Sequence, residues 1–323
     1  MPGRALLRAV RVRAGRALAD GAWRVLAQTG RLPAARPERH GVERLANLAY
    51  TDTGLAAHTL DVYRPAQRTG PLPVVLYVHG GGFRVLSKDT HWVMALAFAR
   101  RGYVVVSINY RLAPLDPFPA AAQDCCAALL WTANHAARLG GDPSRIVLAG
   151  ESAGANLATV LALATSYRRP EPWARQVFDE GVRASAVLPA CGILQVSDVD
   201  RFARRWALST FVRDRMGEVE EAYLGGAGLA DRALADPLIV LERGEEPVRP
   251  LPPFFAGVGT ADVLKEDTRR LKAALDRLGV PCEARYYPGE FHAFHAFVWR
   301  PNARAFWRDT FAFLDQHVAA AAP

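Results

Sequence analysis

Cysteine is scarce in this chain of 323 residues: there are four, and their placement excludes both a disulfide framework and a zinc knuckle. Cys125 and Cys126 are adjacent, and neighbours on one helix point in different directions. Cys191 and Cys282 are isolated, and no C-x-x-C pair occurs. All four read as small buried hydrophobes in a reducing compartment. Long apolar runs are missing too. A bilayer span needs about 18–20 residues, and the longest candidate, residues 146–160, is broken by Gly150, Glu151, Ser152 and Gly154. There is no internal repeat and no low-complexity linker. Half of the residues are apolar and 22% are charged, which excludes a disordered chain and suits one or two domains with a full-sized core.

Acidic residues are nearly absent from the first forty positions. Nine arginines (Arg4, Arg8, Arg11, Arg13, Arg16, Arg24, Arg31, Arg36, Arg39) face only Asp20 and Glu38 there, so this segment carries most of the formal charge of +8. A protein that tracks nucleic acid would spread its basic residues over the main domain, so no nucleic-acid partner is expected. Arginines interrupt every apolar stretch long enough for a secretory signal, and a cytoplasmic location is expected. Two readings of the segment stay open. It is an amphipathic targeting or membrane-surface helix with Leu6, Leu7, Val10, Ala14 and Leu18 on one face, giving peripheral membrane contact, or an ordinary helix packed over the main domain.

From about residue 60 the pattern alternates between strand and helix. Residues 60–63 are short and extended; 74–79 (VVLYVH), 103–109 (YVVVSIN) and 145–150 (RIVLAG) are buried strands by their branched apolar content. Helical stretches lie at 90–101 and at 120–139, the latter ending at Gly140-Gly141. Such repetition predicts an α/β fold, a mostly parallel twisted sheet flanked by helices. The regularity then breaks. Residues 167–173 are rich in Arg and Pro, 184–189 read as a strand, and 201–246 are mostly helical, with exposed-looking aromatics at Phe202, Trp206, Phe211 and Tyr223. A strand returns at 252–259, a helix at 266–278, a strand at 283–287 and a closing helix at 304–317. The irregular middle reads as an insertion between two strands of one sheet.

Gly150-Glu151-Ser152-Ala153-Gly154 has the form G-x-S-x-G between a buried strand and the helical run 156–167. A serine on so tight a turn is forced into strained geometry, so small residues must flank it, and its hydroxyl is lifted clear of the sheet. The helix N-terminus behind it offers N–H groups and a positive dipole end to a developing oxyanion. Alone, the pattern also fits a plain glycine-rich turn. Upstream, His79-Gly80-Gly81-Gly82-Phe83 follows the strand 74–79, and three successive glycines bare their N–H groups as an anion cradle. The Lys-Ser/Thr of a phosphate loop does not follow.

HGGGF at 79–83, YRLAP at 110–114, PFPAA at 117–121 with Asp124 after it, and GESAGANLA at 150–158 together resemble the hormone-sensitive-lipase family of α/β-hydrolases, whose members include bacterial carboxylesterases and lipases. The likeness runs from about residue 60 to the C-terminus, most of the irregular middle excepted. Ala155-Asn156 replaces a frequent Gly-Asn, and Leu115-Asp116 a frequent Glu-His. The resemblance implies an oxyanion hole of Gly81, Gly82 and Ala153 N–H groups, with His79 and Gly80 supporting the loop. It also implies a helical cap over the catalytic edge and, in many members, a homodimer through the last strand and helix.

A serine hydroxyl needs a base, and the base an orienting acid, in the chain order Ser, Asp/Glu, His on this scaffold. Asp262 follows the strand 253–259 and so sits at a carboxyl edge, resembling the acid of the family's D-x-L motif. Glu266 and Asp267 open the next helix, where acids are common for the dipole. His292 follows a turn after the last strand, and its local rival His295 reads as a packing residue. His40, His58, His91, His135 and His317 default to surface or core. No metal or organic cofactor is required. The expectation is a serine carboxylesterase acting on short- to medium-chain acyl esters through Ser152, Asp262 and His292. Its catalytic domain spans 51–200 and 247–323, with a cap built from 1–50 and 201–246. An amidase or formamidase on the same scaffold, or a non-catalytic ligand-binding homologue, are the alternatives.

Overall fold

The computed structural model describes Gly15 and residues 32–225 and 232–318. The apolar-face positions Leu6, Leu7, Val10, Ala14 and Leu18 lie outside the described residues. Among the described residues eight strands form one sheet: β1 (Val42–Ala49), β2 (Thr59–Pro65), β3 (Leu72–Val78), β4 (Val104–Ile108), β5 (Gly141–Glu151), β6 (Ala186–Ala190), β7 (Phe254–Gly259) and β8 (Cys282–Tyr287). Their order is β1-β2-β4-β3-β5-β6-β7-β8, with the β1–β2 and β2–β4 pairings antiparallel and the remaining five parallel.

The central strands are apolar on both faces because helices cover both. In β3, Val74, Leu76 and Val78 enter one core while Val75 and Tyr77 enter the other, the period of two that a pleated strand imposes. On the second face lie α1 (Trp92–Ala99) and the closing helix α9 (Pro301–His317), through Met94, Phe98, Phe306 and Phe313. The first face is covered by α2 (Ala120–His135), α3 (Ala153–Ser166), α4 (Pro172–Asp179) and α8 (Lys265–Arg277). Every residue of α3 is buried, so this helix is apolar nearly all round. Each fully buried Leu, such as Leu157 or Leu161, contributes about 1.5–3 kcal/mol through area removed from water.

Between β6 and β7 the chain forms α5 (Asp200–Arg205), α6 (Thr210–Leu224), a 3-10 turn at Ala233–Ala235 and α7 (Pro237–Glu242). Of the four aromatics that read as exposed, Phe202 and Tyr223 are in fact buried; Trp206 and Phe211 are open to solvent. Further local differences have plain causes. The helix expected from residue 90 begins at Trp92, after a 3-10 turn held by a Ser87–Thr90 capping box. The closing helix starts at Pro301, which supplies the fixed φ of a first helical position. Two elements, β1 and α4, were not anticipated. Among the described residues no helix is long and apolar enough to cross a membrane.

Candidate active site

The carboxyl ends of four neighbouring parallel strands, β5 to β8, carry the chemistry-bearing residues. Ser152 follows β5 directly and has φ 55° and ψ −116°, a strained conformation for a non-glycine residue. The turn is possible only because its flanks are small: a Cβ on Gly154 would collide with the Val78 carbonyl of β3. The neighbouring strand end pins the turn, Ser152 N–H donating to Ala190 O at 3.0 Å and Ile193 N–H to Ser152 O at 3.3 Å. Ala153 is the first residue of α3, so its N–H has no partner within the helix.

After β3 the chain turns through Gly81 (φ 113°) and Gly82 (φ 59°). Gly81 O accepts from Arg84 and Val85 N–H at 3.1 and 3.2 Å, and a Cβ on Gly81 would collide with Val85 O. His79 fixes the start of this loop. Its Nδ1–H donates to Gly80 O at 2.7 Å, its ring stacks on Tyr110 at 4.3 Å, and Tyr110 OH donates to its carbonyl at 2.9 Å. Burial, helped by His91, pushes the His79 pKa down to about 3, so the ring is neutral and structural.

Asp262 is buried beyond β7 and His292 lies beyond β8, their loops laced together by Thr260 N–H to Tyr287 O (2.9 Å) and Ala261 N–H to Glu290 O (3.0 Å). His292 Nδ1–H donates to Asp262 Oδ2 at 2.8 Å, while Leu264 N–H donates to Asp262 Oδ1 at 2.9 Å. That arrangement leaves Nε2 as the accepting nitrogen. The His292 side chain is 43% exposed, whereas its partner Asp262 is buried. Enclosure pulls its pKa down, but the Asp262 carboxylate outweighs this and holds it well above the usual histidine value.

Cys191 was not foreseen as part of this region. It follows β6 at φ 38°, between the strands that carry Ser152 and Asp262, and its sulfur lies within 4.8 Å of the facing Asp262 and His292 atoms. Burial pushes the Cys191 thiol up. Ligands of one tetrahedral zinc stand about 3.3 Å apart, and the 2.8 Å Asp262–His292 contact is closer than that. Asp262 and His292 are joined by a hydrogen bond, and the Cys191 sulfur stands beside them. Ser152 Oγ makes no hydrogen bond among the described residues, a common state of a serine site before substrate tightens it.

His91, assigned by default to surface or core, and His295, read as packing, are both buried, and both also donate to Glu151: His91 Nε2 to Oε1 at 2.8 Å and His295 Nε2 to Oε2 at 2.7 Å. Burial alone would raise the Glu151 pKa, but the two imidazoles override it and hold the carboxyl well below its usual range. A charged residue among the small residues of the strand-to-helix turn was the available signal.

Helix α6 lies on the glycine loop: Tyr223 stacks on Phe83 at 3.7 Å, and Arg84 pairs with Glu218 at 3.2 Å. Helix α5 is tied to the Asp262 side by Arg201, which pairs with buried Asp267 at 2.7 Å.

A family model described as an alpha/beta hydrolase fold matches residues 75–296. The chain belongs to the hormone-sensitive-lipase-like branch of that family. Among relatives of the α/β-hydrolase, the carboxylesterase NlhH of Mycobacterium tuberculosis is 34% identical over 247 residues, 76% of this chain and 73% of its own. An acetyl esterase of Salmonella is 31% identical over 220 residues, 68% and 64% of the two chains. The solved hyperthermophilic esterase of Pyrobaculum calidifontis superposes with a TM-score of 0.72 at 26% identity, covering 96% of this chain and 94% of that one.

Proposed function

We propose that this α/β-hydrolase is a serine carboxylesterase for short- to medium-chain acyl esters. The observation that carries the reading is the Asp262–His292 hydrogen bond, set at strand ends two and three places from the strained Ser152 turn. His292 Nε2 takes the Ser152 proton as Oγ attacks the ester carbonyl. The oxyanion is held by N–H groups of Gly81, Gly82 and Ala153, in a pocket where each donor is worth about 3–4 kcal/mol of transition-state stabilisation. His292 then protonates the leaving alcohol and activates the water that releases the acid, while Asp262 keeps the imidazole in the accepting tautomer. The relatives named as esterases support the substrate class. The scheme uses no cofactor.

The helices between β6 and β7 act in this reading as a cap, and Gly15 lies against Phe211 and Arg215 of α6; of the 1–50 segment expected in the cap, Val42–Ala49 instead form β1 of the sheet. Such a cap sets the acyl length the site accepts. A series of p-nitrophenyl esters from acetyl to palmitoyl tests this. The highest kcat/KM is expected at the short to medium members, and a maximum at palmitoyl would refute the substrate class. Paired amide substrates should turn over far more slowly; faster amide cleavage would make the protein an amidase. Within the same reading, Gly81→Ala should lower kcat by roughly 10²–10³-fold, since its Cβ displaces the loop that presents the oxyanion donors. Steady-state kinetics on folded variant checks this, and unchanged kcat would remove the loop from the mechanism.

A further inference from the structure

We propose that Glu151 is a positioning residue, a single carboxylate that clamps the nucleophile turn, the glycine loop and the base loop in register; the inference rests on the triad assignment above. Three segments far apart in the chain meet on its two oxygens. Glu151 is itself covalently joined to Ser152. Through Oε1 it holds His91, at the end of the 3-10 turn Lys88–His91 that follows the glycine loop. Through Oε2 it holds His295, three residues beyond His292, and Tyr77 OH of β3 stands 3.4 Å from the same oxygen.

The glycine loop also rests on this side chain. A Cβ on Gly80 would come within 3.0 Å of the Glu151 carbonyl oxygen and 3.2 Å of its Cγ, so the loop passes directly against this residue. His295 is fixed from its other side, stacked on Phe306 at 4.7 Å, with Trp307 Nε1–H donating to its carbonyl at 3.0 Å. Its Nδ1 is buried with no partner among the described residues, so the proton sits on Nε2 and is committed to Glu151. A buried carboxylate is costly unless paired, and here both oxygens are used by elements that carry parts of the proposed machinery. An apolar side chain would fill the same space, yet it would give neither imidazole a direction. The required precision is high, because a misplacement of about 1 Å at a reacting group costs on the order of 10²-fold in rate.

The test compares wild type with Glu151→Gln, His91→Gln, His295→Gln and the double variant E151Q/H295Q, all normalised to active sites titrated with a fluorophosphonate. The amide of E151Q turns an N–H toward one imidazole N–H and breaks that arm of the clamp. The expected result is a kcat per titrated site lower by roughly 10–100-fold, with KM within about threefold of wild type, and E151Q/H295Q no slower than E151Q because both remove one shared interaction. Glu151→Asp, which keeps the charge, should recover part of the loss. Wild-type kcat per titrated site in E151Q overturns the proposal, as do losses that multiply in the double variant. Should E151Q fail to fold, unimpaired turnover in both H91Q and H295Q overturns it equally, and a kcat loss in each supports it. Failure of wild-type Ser152 to label would overturn the triad assignment and this proposal with it. Normal labelling with unimpaired E151Q turnover overturns the clamp alone.

Discussion

Ser152→Ala should lower kcat on a short acyl ester by about 10⁶-fold, the loss found when a serine hydrolase keeps its scaffold but not its nucleophile. Of the predicted effects it is the largest, because the hydroxyl is the only group in the scheme that forms a bond to substrate. Stability should hardly change. The Ser152 hydroxyl makes no hydrogen bond among the described residues, so its removal leaves no donor or acceptor stranded, and alanine keeps the Cβ already accommodated at φ 55°. The melting temperature should therefore move by no more than about 2 °C, within the range of substitutions that break no specific interaction. A residual rate of about 10³-fold over water is expected from binding and the oxyanion donors. Esterase activity near wild type, or full labelling of the variant by a fluorophosphonate, would remove Ser152 from the reaction.

How well the sequence foretold each element depended on burial and distance along the chain. Strands β3, β4 and β5 are legible because helices cover both faces, leaving unbroken runs such as Val104–Ile108. The turn at Ser152 and the loop at Gly81 are legible because all their constraints are local, small residues beside a tight bend. Strand β1 was hidden for the opposite reason. It pairs on one side only, half of it faces water, and Glu43, Arg44 and Asn47 dilute its apolar signal, with a register shift between Leu45 and Leu48. Helix α4 was masked by Arg168, Arg169 and Pro170 just before it, although Ala174, Val177 and Phe178 keep helical spacing and Pro172 opens it.

The site divides in the same way. Asp262 and His292 could be picked out by their places after strands, and the structure joins them at 2.8 Å. Glu151 with His91 and His295 could not. Those partners lie 60 and 144 positions away, and nothing local marks which of eight histidines turns toward a given carboxylate. Cys191 escaped notice because its position beside His292 follows from sheet order, β6 lying between β5 and β7, and not from any motif. Tertiary polar networks are the least visible part of a sequence, since the pairing of two side chains is fixed only once the strands that carry them have been ordered.

Asp262→Asn should lower kcat by about 10⁴-fold while leaving the fold in place. The cause is a conflict of donors. In the wild type, one oxygen of Asp262 accepts from Leu264 N–H and the other from His292 Nδ1–H. An amide has a single oxygen. If that oxygen stays with Leu264, the amide N–H₂ faces Nδ1, which must then accept; the ring proton moves to Nε2 and blocks the lone pair that Ser152 needs. Removing the carboxylate also removes the charge that outweighs enclosure and holds the His292 pKa above its usual value. The sign follows directly. A base is useful only when neutral, so wild-type activity is present above the raised pKa and is lost as pH falls through it. In the variant that pKa drops, and the acid limb of the kcat/KM profile must shift to lower pH even as its plateau falls. A profile whose acid limb stays in place, or moves to higher pH, would show that Asp262 does not act on His292.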